Sequence, residues 1–223
     1  MKKNRATPWK SGKVISICLR NGVYILAQMV REPYLVFFNH FNEENNWKGV
    51  TLKEEDILFC KAVTRQFLRY SPVAIIKEVN PLLDYELPKE WIYSHIGGHN
   101  ITISVKGRER QVVGFGQRCS LVLADKDSGQ PEDNPLMGLF QAYIIPDIKE
   151  KDWDRVGQAE LMSIEVFPTL NERLYLCFLY GKNINPEQDI SLGKPLLDDY
   201  ETYIDILTNS PEARHLYLGE YEE

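Results

Sequence analysis

The sequence predicts a mixed α+β protein, mainly of antiparallel β-strands, divided into two modules at residues 1–94 and 95–223. Three observations predict this class. Asn21-Gly22 separates two apolar runs of period two, the pattern of a hairpin whose turn residues have positive φ. Alternating apolar segments recur further along the chain. An amphipathic helical pattern, by contrast, lies close to the C-terminus, between Leu196 and Leu207.

The first module is predicted to be a small antiparallel β-meander with a barrel-like shape. Strands are expected at 14–19 and 23–30, on either side of the turn, and at 34–38 after a break at Pro33. Thr51-Leu52-Lys53-Glu54 has the form of a capping box and predicts a short helical turn. Residues 57–63 are a run too short for periodicity alone to separate strand from helix.

The second module is predicted to be another antiparallel sheet followed by helices. It begins at a glycine-containing joint, His95 to His99. Strands are predicted at 101–105, 111–115, 120–124, 139–145, 159–167 and 173–180. The last of these is apolar on both faces, which indicates a central strand. After the amphipathic helix, Ser210-Pro211 predicts the start of a second short helix.

Composition narrows the classes of function. The 223-residue chain has a net charge of −6, which disfavours nonspecific nucleic-acid binding and favours a basic protein partner. No apolar run approaches the ~20 residues of a membrane helix, and the N-terminus lacks the apolar core of a signal peptide. The four cysteines are scattered singly, without zinc or disulfide spacing. We therefore expect a cytoplasmic protein with reduced thiols, no metal and no cofactor.

No motif in the sequence predicts a catalytic residue. His95 and His99 are spaced i, i+4, but the Gly97-Gly98 pair between them favours a hinge over a helical metal site. Phosphate-binding, nucleophile-elbow and zinc-protease motifs are absent. Arginines at 108, 110 and 118 are interrupted by an acidic residue and lack interleaved aromatic residues, so turns are favoured over a nucleic-acid groove.

The N-terminal third resembles the immunity protein 26 family, whose members neutralise the toxins of bacterial polymorphic-toxin and contact-dependent growth inhibition systems. The resemblance begins with glycines, an aromatic residue and apolar strand positions around the turn: Gly12, Val14, Ile17, Leu19, Gly22, Tyr24, Gln28 and Val30. A later block is similar to that family's closing segment: 58–63, Leu68 and 71–75.

The resemblance implies an immunity protein, a non-catalytic antitoxin that binds and neutralises a cognate toxin domain stoichiometrically. A nuclease with a basic cleft is a suitable target for an acidic inhibitor, and neither a membrane nor nucleic acid is expected to bind directly. The predicted toxin-binding residues combine carboxylates with an aromatic anchor: Glu43, Glu44, Trp47, Glu54, Glu55 and Asp56. An alternative acidic site lies in the second module: Asp125, Asp127, Glu132 and Asp133.

Two other classes of function stay open at this point. The chain could be a small regulatory β-barrel module that binds a peptide or nucleic acid, or an enzyme with no recognisable motif. An enzyme requires polar residues that converge in a pocket. A nucleic-acid reader requires its arginines in one positive stripe, and an inhibitor requires an acidic face exposed to solvent.

Overall fold

The computed structural model describes residues 7–95, 100–114, 118–124 and 140–210 and confirms the predicted α+β class. Its strands are β1 Val14–Cys18, β2 Tyr24–Met29, β3 Tyr34–Asn42, β4 Ile57–Val63, β5 Val73–Ile76, β6 Glu90–Ser94, β7 Asn100–Val105, β8 Arg108–Val113, β9 Cys119–Leu123, β10 Ala142–Ile145, β11 Glu160–Leu161 and β12 Ile164–Glu165. Its α-helices are α1 Arg65–Tyr70, α2 Trp153–Val156, α3 Thr169–Tyr180, α4 Pro186–Leu192 and α5 Glu201–Leu207. No helix among these residues has the length and apolarity needed to cross a membrane.

The described residues divide into two compact units. The first is drawn from residues 1–86, 163–185 and 199–223, and the second from 87–162 and 186–198. The first unit therefore combines the N-terminal strands with later helices. The modules predicted at 1–94 and 95–223 stay a prediction, because a compact unit is not yet a domain shown to fold alone.

The first unit is built on a six-stranded sheet with the order β12-β4-β3-β2-β1-β5. Strands β1 to β3 form the predicted antiparallel meander, β4 extends it, and β5 adds antiparallel to β1. The expectation of a barrel-like shape is wrong, since the described strands form an open sheet with edges at β5 and β12. The physical reason is that β12 pairs in parallel with β4 and occupies the edge that closure would require.

The predicted turn at Asn21-Gly22 is confirmed. Asn21 has φ 59° and Gly22 has φ 72°, a conformation that costs little for glycine and is tolerated by asparagine. Cys18 pairs with Tyr24 across the hairpin.

The predicted strand at 173–180 is wrong, because these residues belong to α3. An apolar pattern on every side fits a fully buried helix as well as a buried strand, and residues 170 to 177 of α3 are all buried. The helix ends where Gly181 adopts the left-handed conformation, with φ 63°.

Two further local predictions are wrong, and one helix had no predicted counterpart. The 159–167 region forms only the two-residue strands β11 and β12. Thr51 does not cap the short 3-10 helix Glu54–Asp56; Asp56 accepts from the Lys53 backbone N–H at 3.1 Å instead. Helix α1 was not predicted, and Thr64 caps it by accepting from the Phe67 N–H at 3.2 Å.

Residues 57–63, for which the sequence pattern left strand and helix open, form a strand. The predicted C-terminal helix is confirmed for Glu201–Leu207, although it begins later than the predicted start at Leu196. On α5 and the residue before it, Tyr200, Tyr203 and Ile204 are buried at helical spacing.

The second unit contains a sheet of order β10-β9-β6-β11 and a separate β7-β8 hairpin. Four residues of the four-stranded sheet, Ile92, Cys119, Leu121 and Leu161, form an apolar core with Ile148, Val156 and Ala159. All four cysteines of the chain are free thiols, and three of them are buried.

Candidate functional site

Four of the predicted toxin-binding carboxylates are exposed at one end of the six-stranded sheet. β3 and β4 are antiparallel neighbours, with Phe37 opposite Phe59, so the segment after β3 and the segment before β4 lie at the same end. The first segment carries two of the carboxylates and the 3-10 helix before β4 carries the other two. We call this set the acidic end: Glu43, Glu44, Glu54 and Glu55.

Asp56 holds the 3-10 helix against the sheet. Its Oδ2 accepts from the Lys53 N–H and lies 3.1 Å from Nε2 of His40 on β3. These contacts give Asp56 a local structural role in positioning the two glutamates before it.

The acidic end carries a net negative charge. Lys48 and Lys53 are the exposed cations of the same segments, set against four carboxylates. Lys53 Nζ lies 3.0 Å from Glu55 Oε1, and that hydrogen bond, with the Glu55 charge, raises the pKa of Lys53. Such an exposed pair is held weakly in water, so Glu55 can exchange its lysine for a cation of a partner.

Trp47 is not the exposed anchor that the sequence predicted. Its side chain is 1% exposed, and its Nε1 donates to Asn45 Oδ1 at 2.8 Å. Ser16 of β1 donates to the same oxygen at 2.6 Å. The indole therefore anchors the loop to the sheet from inside, as expected of a buried tryptophan with a satisfied N–H.

The apolar side chains near the acidic end come from the last turn of α3. The Phe178 ring lies 5.4 Å from the ring of Phe41 on β3, two residues before Glu43. The next two residues, Leu179 and Tyr180, are 49% and 37% exposed. We call Phe178, Leu179 and Tyr180 the α3 tip.

Two side-chain hydrogen bonds fix the position of the α3 tip. Tyr180 Oη donates to Asp199 Oδ2 at 2.7 Å. Asn39 of β3 donates from Nδ2 to the Gly181 carbonyl at 3.2 Å. The exposed side chains are thus presented from an ordered helix end.

The body of α3 is joined to the β1-β2 turn by a buried carboxylate. Arg20 makes a bidentate contact with Glu172, at 2.9 and 3.1 Å, and its guanidinium lies 3.7 Å from the centre of the Tyr175 ring. Asn21 also donates to Tyr175 Oη at 2.8 Å. A fork-shaped pair of this kind fixes orientation as well as charge.

A second buried ionic cluster joins α3 to the sheet edge. Glu165 Oε1 of β12 lies 3.6 Å from Lys61 Nζ and 3.7 Å from Arg173 Nη1. Lys61 donates to Ser163 at 2.9 Å, and Arg173 lies over the Phe59 ring at 3.7 Å. All three charged side chains are almost fully buried, which makes their mutual pairing essential.

The second unit brings a histidine and a serine together without activating the serine. His95 Nε2 lies 2.8 Å from Ser120 Oγ, and Ser120 donates its single proton to the Pro146 carbonyl at 2.6 Å. His95 must therefore donate through Nε2 in this contact. Burial, with the nearby Arg118 guanidinium, lowers the pKa of His95. This arrangement directs the Nε2–H of His95 toward Ser120 and does not place a base to deprotonate it.

Several sequence candidates lie outside the described residues. These include the alternative acidic site of Asp125, Asp127, Glu132 and Asp133, and also His99. Within the described part of the chain, no three His, Cys, Asp or Glu side chains are grouped so as to hold a metal ion.

Sequence reasoning found the acidic end and missed the α3 tip. The tip lies more than 120 positions from Glu55. It belongs to the segment 173–180, whose apolar pattern predicted a strand and not the end of a helix. Gly181 was the available signal, since glycine after an apolar run marks a helix C-terminus.

The fold and this surface define an α+β protein with an open sheet and a candidate protein-interaction surface. The chain belongs to the family described as Domain of unknown function (DUF8309), which matches residues 3–117. The matched range includes the acidic end and stops before α3. No curated protein and no solved structure matches the chain.

Proposed function

We propose that this protein is an immunity protein that binds a cognate bacterial toxin domain and neutralises it stoichiometrically, without catalysis. The observation that carries the proposal is the acidic end, where four exposed carboxylates from two segments lie at one end of the six-stranded sheet. The resemblance of the N-terminal third to the immunity protein 26 family supplies the class of partner.

The charge of this surface suits a target with a basic cleft, such as a nuclease. Opposite charges steer two proteins together and raise the association rate. The chain as a whole is also acidic, at −6. An inhibitor of this kind occupies the toxin's cleft itself, so it contacts neither nucleic acid nor membrane directly, and it acts in the cytoplasm.

The proposal predicts that a toxin domain is encoded beside this chain, and it is tested by growth of cells that co-express the two. Wild-type chain is expected to protect, and the Glu43→Lys, Glu44→Lys double variant is expected to protect poorly because it reverses half of the acidic end. The matched control reverses Glu32 and Glu78, two exposed residues at the opposite end of the sheet, and is expected to protect fully.

Two results contradict the proposal. Failure of the wild-type chain to protect refutes the immunity function. Full protection by the acidic-end variant refutes this binding site and places it elsewhere. Variants that reverse Asp125, Asp127, Glu132 and Asp133 then test the alternative surface.

A further inference from the structure

We infer that the α3 tip is the apolar half of the toxin-binding surface, and that it docks against a partner site in which Lys or Arg side chains flank an apolar cleft. This inference rests on the proposed function and names residues that the sequence reasoning did not. It also replaces the buried Trp47 as the source of apolar contact.

The exposure of the α3 tip is unusual within its own helix. Residues from Leu170 to Cys177 are all buried, whereas Leu179 and Tyr180 present large apolar surface to solvent. Single exposed apolar residues are common, but adjacent ones beside a charged rim are typical of interaction sites.

The α3 tip is also ordered before binding. Tyr180 is held by Asp199, and the helix end is held by Asn39. Side chains that are already fixed lose less conformational entropy when a partner docks. A tyrosine anchor in such a position matches the composition of binding hot spots.

The electrostatic surroundings select a cationic partner. The carbonyl end of the 12-residue helix α3 carries partial negative charge, and its last turn contains no basic residue. Asp199 and the acidic end add full negative charges. The one opposing group in the adjoining sequence is Lys182, which is exposed just after the helix end. Arginine or lysine of a partner can therefore meet carbonyls and carboxylates around an apolar centre.

The two halves of the surface have different kinetic roles. The acidic end acts at a distance, so it governs association and is sensitive to salt. The α3 tip acts only in contact, so it governs dissociation. Lys182 repels a basic partner, and reversing its charge should accelerate association.

Surface plasmon resonance with the purified full chain and the immobilised neighbouring toxin domain tests this division. Leu179→Ala and Tyr180→Ala are each expected to raise the dissociation rate by about 5- to 30-fold, the effect of truncating an interface residue that contributes to binding without reaching the strongest hot spots, with the association rate nearly unchanged. Lys182→Glu is expected to raise the association rate. Leu83→Ala is the matched control, because Leu83 is an exposed leucine of the same unit and is expected to change neither rate.

The outcomes separate the inference from the proposed function. If wild-type chain binds and the Glu43→Lys, Glu44→Lys variant associates slowly while both tip variants dissociate like wild type, the inference is refuted and the proposed function stands. If wild-type chain does not bind the toxin domain at all, the proposed function fails and the inference fails with it. Tyr180→Phe keeps the ring and removes only the hydroxyl bonded to Asp199; dissociation as fast as that of Tyr180→Ala would also refute an apolar role for the ring. Circular dichroism melting confirms that each variant is folded.

Discussion

Replacing Glu165 with glutamine is expected to destabilise the first unit strongly. Glu165 lies between Lys61 and Arg173, at 3.6 and 3.7 Å, and both cations are fully buried. Glutamine has nearly the same shape, so the change removes one charge without opening a cavity. Removing one partner of a buried ion pair costs about 3–5 kcal/mol, because the remaining charge is left in a poorly solvated site. For a chain of this length the melting temperature should then fall by about 6–20 °C.

The geometry also predicts which variants lose the most stability. Lys61→Met leaves Glu165 paired with Arg173, so it should cost less stability than Glu165→Gln. The matched surface control is Glu32→Gln, since Glu32 and Arg65 form a pair at 3.5 Å in which the side chains are 52% and 92% exposed. Such exposed pairs contribute about 0–1 kcal/mol.

Thermal and urea denaturation followed by circular dichroism measure these differences directly. A Glu165→Gln variant that unfolds at the same temperature as Glu32→Gln would refute the argument that the buried cluster holds β12 and α3 on the sheet. A Lys61→Met variant less stable than Glu165→Gln would refute the central position of the carboxylate.

Three further predictions concern the turn, the loop after β3 and the second unit. Gly22→Ala should lower the free energy of unfolding by about 1–2 kcal/mol, because alanine at positive φ is strained even though its Cβ meets no neighbour. Gly157 has ordinary helical geometry, so Gly157→Ala should be nearly neutral in the same urea titration. Trp47→Ala should lower that free energy by about 3–5 kcal/mol, so a fully stable variant with altered toxin binding would contradict its burial. Because burial and Arg118 lower the pKa of His95 from 6.5, the unfolded chain binds a proton that the folded chain does not, and stability should fall as the pH drops below about 6.5. A nuclear magnetic resonance titration of His95 with a midpoint above 6.5 would contradict this sign.

The strands around Asn21-Gly22 could be predicted because their signals are local. Asn21-Gly22 and a period of two predict the hairpin, but its register, with Cys18 opposite Tyr24, follows from a three-residue turn that also includes Arg20. The acidic end could be found for a similar reason, since Glu43, Glu44, Glu54 and Glu55 lie within a short stretch of chain.

Features that depend on distant contacts were not predictable in this way. The prediction of a strand at 173–180 was wrong because a fully buried segment is apolar on all sides whether it forms a helix or a strand. The open sheet depends on β12, a strand of two residues that is too short to leave a pattern. The burial of Trp47 was not predictable because its neighbours in sequence are polar and nothing local indicates the hydrogen bond from its indole to Asn45.

Titration of toxin activity with the purified chain tests the central claim most directly. A stoichiometric, non-catalytic inhibitor should abolish the activity of the neighbouring toxin domain at one equivalent of chain, and the two proteins should co-elute as a 1:1 complex. The Glu43→Lys, Glu44→Lys variant should require a large excess, whereas the Glu32→Lys, Glu78→Lys control should match wild type. Complete inactivation by far less than one equivalent would show that the chain acts with turnover and would contradict the account, as would full toxin activity in the presence of excess wild-type chain.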